Sequence, residues 1–260
     1  MVKEMSEKHT EKSDFIEPFS RRTGQYSQKQ VSTADMLIKA ALPHIPFDGW
    51  GENALNRAAM DANIAPPLAR TLFPDTMKDM IYWASRLSDE EMCLAYQRDH
   101  NNQDLSIRER IATLLMIGFS QNLPHRDALR RAMPFLLNPL NMSFSLRLLY
   151  YRCDAIWRMA GDTSTDWNFY SKRSLLIMVY SPSLLVYLND NSDNLQITDA
   201  FLRRHINDVL QIPKIKAKMQ TAGLGFIKPI RHARKLLQEF ANIEKYSGRK
   251  WQSPRHGNHR

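Results

Sequence analysis

Cysteine is scarce in this chain. Cys93 and Cys153 are the two in 260 residues, and both fall in helix-like segments far apart in sequence. They read as reduced core side chains in a reducing compartment, not as a disulfide or redox pair. Long apolar runs are missing too: none approaches the roughly 20 residues a bilayer-spanning helix needs. The first twenty residues lack the marks of an address. Glu4, Glu7, Glu11, Asp14 and Glu17 argue against a mitochondrial transit peptide, and no apolar stretch suits a secretory signal. The eight histidines form no metal-ligand pattern. There is no Cys-x-x-Cys, no His-Glu-x-x-His, no Glu-x-x-His pair of the di-iron type, no phosphate loop and no Gly-x-Ser-x-Gly elbow. The expectation is a protein without catalytic residues, metal or cofactor. Alternating apolar and polar residues are lacking as well, so the fold class is all-α.

What is present is unevenly placed. The net charge of +9 lies at one end: from residue 212 onward there are twelve Lys and Arg against Glu239 and Glu244, while the remainder is nearly balanced. Residues 1–30 are charged and aperiodic and read as a disordered tail. Residues 31–75 follow a helix, turn, helix, turn, short-helix layout. Ser32 to Asp35 suits a helix start, Phe47 and Trp50 would pin the turn, and Pro66-Pro67 would open the third helix. This is the order of a helix-turn-helix DNA reader, yet its basic residues are Lys39, Arg57 and Arg70 against Asp35, Asp48, Glu52, Asp61 and Asp75. That balance cannot neutralise a row of phosphates, so no specific nucleic-acid partner is expected. Residues 76–222 read as a helical core, with Asp75–Gln97, Ile107–Gln121, Pro124–Leu137, Met142–Met159, Trp167–Leu188 and Ile197–Met219 as its segments. Pro134, Pro182 and Pro213 should bend or break theirs.

Residues 223–245 form an amphipathic helix on paper. Phe226, Ile230, Leu237 and Phe240 fall on one side, and Lys228, Arg231, Arg234 and Lys235 on the other, with Ile227 beside them. An apolar face under a basic one suits the interface of an anionic membrane. Residues 246–260 are a basic tail.

The most polar interruption of the apolar half is Ala160-Gly-Asp-Thr-Ser-Thr-Asp166, followed by Trp167, Phe169, Tyr170, Lys172 and Arg173. Gly161 suits the left-handed position past a helix end, and Asp162 to Asp166 are all capping types. The plain reading is a helix corner with more caps than it needs, with Asp154, Asp162 and Asp166 in cap roles or in ion pairs with Arg152, Arg158, Lys172 or Arg173.

This run, with Asp154-Ala-Ile-Trp157 before it and Phe201 to Val209 after it, resembles the signature of the coenzyme Q biosynthesis protein nine family. The resemblance touches Phe47-Asp-Gly-Trp-Gly51 as well and covers roughly Asp35 to Met219. The chain departs from the family pattern at Phe169, where tryptophan is common. The resemblance implies a TetR-like helical bundle that serves ubiquinone biosynthesis as a non-catalytic accessory. It would bind an isoprenoid quinone precursor or phospholipid in an internal pocket and dock a demethoxyubiquinone hydroxylase. It would act as a homodimer, peripheral on the inner membrane from the cytoplasmic side in the bacterial manner. Docking contacts would come from Asp154, Trp157, Asp162, Asp166, Trp167, Phe169, Tyr170 and Arg173. Pocket walls would come from Met116, Phe119, Met133, Leu136, Phe144, Leu148, Met178 and Leu185. The competing reading of the same layout is a TetR-type DNA-binding regulator with a ligand-binding core.

Overall fold

The computed structural model describes the backbone of residues 26–100, 104–162 and 167–221, and the side chains up to 162 and over 171–209. The expected N-terminal tail up to residue 25, the 223–245 helix and the 246–260 tail lie outside the described residues. Every regular element among those described is helical.

The N-terminal unit contains α1 (Gln28–Ala41), the single turn α2 (Ile45–Asp48), α3 (Glu52–Asp61) and α4 (Pro66–Leu72). α1 begins at Gln28, not Ser32, because Ser27 and Gln30 cap one another: the Gln30 N–H donates to Ser27 Oγ, and the Ser27 N–H donates to Gln30 Oε1. Residues 28–30 therefore belong to the helix rather than to the tail. Of the two aromatics in the α2 turn, only Trp50 pins anything. It is buried, and its indole N–H donates to the Ala128 carbonyl at 2.8 Å. Phe47 stands 81% exposed.

α5 (Thr76–His100) is the beam of the molecule. Its first half (Met80, Ile81, Trp83, Leu87) completes the core of the N-terminal unit with Leu37, Ile38, Leu55 and Phe73; its second half (Met92, Tyr96) enters a second core with α6 (Ile107–Gln121), α8 (Met142–Met159), α9 (Trp167–Asn189) and α10 (Gln196–Thr221). α7 (Arg126–Leu136) and the start of α8 lean on the first core through Ala128, Ala132 and Leu148. Arg86, buried in α5, ties α1 in place by pairing with Asp35 while its second arm reaches Glu90 at 2.9 Å.

Pro182 does not break α9. It removes the N–H that would have bonded the Met178 carbonyl one turn back, and the His205 ring on α10 takes that carbonyl instead at 3.3 Å. Beyond α9 the chain turns through Asp190, whose carboxylate accepts from the N–H and hydroxyl of both Ser192 and Thr198 at 2.5–2.8 Å. Asn194 and Leu195 follow in left-handed conformation, φ 52° and 58°.

Candidate partner-docking corner

α8 ends at Met159 in a glycine-terminated cap. The Gly161 N–H donates to the Arg158 carbonyl at 3.0 Å and the Asp162 N–H to the Trp157 carbonyl at 2.9 Å, with Gly161 at φ +92°. This is the double bond pattern of a Schellman ending, which needs a residue free of Cβ strain at its turn. The space is tight as well, since a Cβ on Gly161 would lie 3.3 Å from Arg110 Nη1.

The cap places Asp162 where its carboxylate bridges forward to α9. Lys172 Nζ lies 2.6 Å from Asp162 Oδ1 and Arg173 Nη1 2.9 Å from Oδ2. The same Arg173 reaches back into α8, where Nε and Nη2 each lie 2.8 Å from Asp154 Oδ1, and Arg158 holds Oδ2 at 2.9 Å. Two carboxylates and three cations thus form one chain of charge across the corner. Arg173, Asp154 and Asp162 are all below 4% exposed at the side chain. Burying so many charges is tolerable only because each is matched and hydrogen-bonded. Trp157 lies under the same corner, its indole N–H donating to the Lys172 carbonyl at 2.9 Å and its ring 5.5 Å from the Lys172 ammonium.

Four of the eight expected docking contacts therefore sit below the surface. Asp154, Trp157, Asp162 and Arg173 brace the corner from inside and do not offer themselves to a partner. Asp166 and its neighbours Thr163 to Thr165 lie outside the described residues, as do the side chains of Trp167, Phe169 and Tyr170, although the α9 backbone begins at Trp167. The expected ion pairing of Asp154 and Asp162 holds for Arg158, Lys172 and Arg173. Arg152 instead turns to Asp89 at 2.6 Å, to the Tyr180 hydroxyl at 3.0 Å and to Ser88 at 2.9 Å. That second polar node was not foreseen; Asp89 is 1% exposed, and burial pushes its carboxyl up to about 6 against the pull of Arg152. Burial likewise pushes the nearby Cys93 thiol up to about 12 and raises Cys153, so both stay protonated thiols.

The eight expected pocket residues do not gather round one cavity. Phe119, Met116 and Met133 pack in the second core, with Phe119 stacked on Tyr187 at 4.7 Å. Leu148, Leu136 and Phe144 belong to the first core. Met178 and Leu185 are 45% and 52% exposed on the outer face of α9, because the helix presents Leu176, Val179, Tyr180 and Tyr187 inward. A cleft of about 580 Å³ does open between α5, α6 and the start of α10, but Arg98, Asp99, His100, Gln121, Gln196, Asp199 and Arg203 make it polar, and Met116 is its single member of the expected set. Among the described residues, no group of three His, Cys, Asp or Glu could hold a metal, and no helix is long and apolar enough to cross a membrane.

Known proteins sharpen this picture. Residues 142–213, which run from the start of α8 through the corner into α10, match the COQ9 family model. The human ubiquinone biosynthesis protein COQ9, mitochondrial, is 25% identical over 80% of this chain and 67% of its own length. The rat protein of the same name is 25% identical over 92% of this chain and 80% of its own, and that of Schizosaccharomyces pombe is 25% identical over 76% and 85%. Among solved structures, a TetR transcriptional regulator from Nitrosomonas europaea aligns at TM-score 0.54 and 18% identity, over 69% of this chain and 98% of its own; at that identity it speaks for the fold alone. The relatives carry "mitochondrial" in their names, so the bacterial-type placement has no support from them. With the signature corner inside the matched segment and a TetR-like bundle around it, the chain is similar to the COQ9 family in sequence over that segment and TetR-like in fold.

Proposed function

We propose that this protein is a non-catalytic accessory of ubiquinone biosynthesis that binds an isoprenoid quinone precursor at a membrane surface and presents it to a partner hydroxylase. The observation that carries the reading is the family match over 142–213, joined to relatives whose names assign them to ubiquinone biosynthesis. The corner supports it physically. A network of Asp154, Asp162, Lys172 and Arg173 ties the second turn of α9 to the end of α8, next to the segment that carries Trp167, Phe169 and Tyr170, the residue types that interface anchors use. Residues 223–245 supply the membrane contact by their segregated faces. Met178 and Leu185, two turns apart on the outer face of α9 and both exposed, supply an apolar strip for a second copy.

The regulator reading loses on charge. Each basic residue of 31–75 is engaged by an acid: Lys39 with Glu91 at 2.8 Å, Arg57 with Asp48 at 3.1 Å and Arg70 with Glu52 at 3.9 Å. The deciding experiment is mass spectrometry of lipid extracted from the purified full chain, run beside quinone profiling of cells that lack the protein. Co-purified isoprenoid lipid with accumulation of the hydroxylase substrate is the expected pair of results. A lipid-free protein in cells with normal quinone pools would overturn the reading.

A further inference from the structure

Between α7 and α8 the chain makes a tight corner, Leu137 to Met142, with an unusual surface. Leu140 is 90% exposed, Leu137 62% and Met142 44%. Three large apolar side chains together in water on a short ordered corner call for a partner surface.

Two further observations say which surface. The first is charge. From Ala128 to Cys153 there is no Asp or Glu, while Arg130, Arg131, Arg147 and Arg152 all occur, and the fifteen residues from Ala132 to Leu146 carry no charge at all. Arg131 and Arg147, both exposed, flank the uncharged run on either side. Arg131 also donates to the Pro46 carbonyl at 2.8 Å, which brings the 81% exposed Phe47 to the same side of the molecule. The nearest acids in sequence are taken: Asp127 pairs with Arg130, and Asp154 is buried with Arg158 and Arg173.

The second observation is the backbone. Each N–H at the corner already has an acceptor inside the protein. Leu137 donates to Met133, Asn138 to Phe135, Leu140 to the Asn138 side chain, Asn141 to the Asn138 carbonyl and Met142 to Pro139. Pro139 has no N–H to satisfy. On the acceptor side, Asn141 Nδ2 covers the Phe135 carbonyl at 3.1 Å and Ser145 Oγ the Leu136 carbonyl at 2.7 Å. A loop that enters a low-dielectric layer must satisfy such groups internally.

From the apolar tip, basic collar and internally bonded N–H groups we infer that the 137–142 corner is a shallow wedge that inserts into an anionic lipid surface. It gives the protein a second membrane contact beside residues 223–245. The inference rests on the reading that the protein meets a membrane, and adds where and how the folded body touches it. Leu137, Leu140 and Met142 enter the headgroup–acyl boundary, while Arg131 and Arg147 lie against lipid phosphates.

The full chain tests this with an environment-sensitive fluorophore on Leu140→Cys. The native thiols compete poorly, since burial holds Cys93 and Cys153 protonated. Mixed phosphatidylcholine–phosphatidylglycerol vesicles should shift the emission to the blue, and phosphatidylcholine alone should do so far less. A label at the exposed Asp208 on α10 should stay in water. Leu137→Glu with Leu140→Glu should leave the melting curve unchanged, because both side chains are already exposed, and lower vesicle partitioning roughly tenfold. Co-sedimentation without any change at position 140, and with the double variant binding like the wild type, overturns the wedge and leaves the 223–245 contact standing. A concentration-dependent shift without vesicles means that a second copy covers the corner, and also overturns it. No co-sedimentation of the unlabelled protein removes the membrane reading as a whole.

Discussion

Arg173 is the residue on which most of the corner depends. It touches Asp154 on α8 and Asp162 past its end, and is itself 2% exposed. Arg173→Met removes the charge and keeps the volume, leaving two buried carboxylates with one cation each. The loss of stability should be about 3–5 kcal/mol, the range for breaking a buried pair from one side, measured by urea unfolding. Gly161 supports the same corner through its backbone. Gly161→Ala forces a Cβ into the left-handed region beside Arg110, and should cost about 1–2 kcal/mol on the strain of that conformation alone. Asp190 gives a pH handle. Burial would raise its pKa, but hydrogen bonds from Ser192 and Thr198 outweigh burial and hold the carboxyl down at about 2. A depressed carboxylate stabilises the fold above its unfolded pKa and loses that contribution as the pH falls towards 2. Between pH 4 and pH 2 the wild type should therefore lose more stability than Asp190→Asn, as read by thermal melts across that range.

At the scale of elements, periodicity was enough to place α6 and α8 at their observed ends, since Ile107, Gln121, Met142 and Met159 bound both the expected and the observed helices. Those ends carry local signals: Ser106 caps α6 through the Glu109 N–H, and Gly161 closes α8. Where the deciding partner is distant in sequence, local pattern failed. Pro182 reads as a bend or a break, yet α9 runs on through it, and the His205 ring on α10 takes the Met178 carbonyl that the proline leaves without its helical donor. Met178 and Leu185 look like core by composition, and only the packing of α9 turns them outward. The ion pairing of Asp154 and Asp162 is legible in the sequence, but the burial of both carboxylates and of Arg173 is not, because it depends on how α8 and α9 pack. A functional prediction follows at this scale. If Phe169 and Tyr170 are interface anchors on the first turn of α9, changing either to Ala should leave the melting temperature nearly unchanged. It should weaken hydroxylase binding by about 2 kcal/mol or more, roughly thirtyfold in affinity. Pull-down and melting curves on each variant check it, and a variant that melts early would make these side chains core.

For the whole molecule, the asymmetry of charge governs what it can meet. The N-terminal unit has the layout of a DNA reader but spends Arg57 and Arg70 on its own acids and Lys39 on Glu91 of α5, whereas twelve basic residues crowd the chain from 212 onward. Duplex DNA and an anionic membrane both attract a basic protein, so the two partners must be separated by what else each demands. DNA binding needs several cations set along a groove, and its affinity falls steeply with salt as counterions are released. Membrane binding adds apolar burial, which salt does not screen. Flotation with phosphatidylglycerol vesicles should accordingly persist in part as salt is raised, while retardation of duplex DNA, if any is seen at low salt, should vanish near physiological salt. Removing residues 223–260 should abolish that low-salt DNA retardation and weaken flotation strongly, while the helical core through α10 still unfolds cooperatively. Duplex binding that survives the truncation and is lost in Arg70→Ala would restore the regulator reading. Flotation undiminished by the truncation would place the membrane contact on the folded body alone.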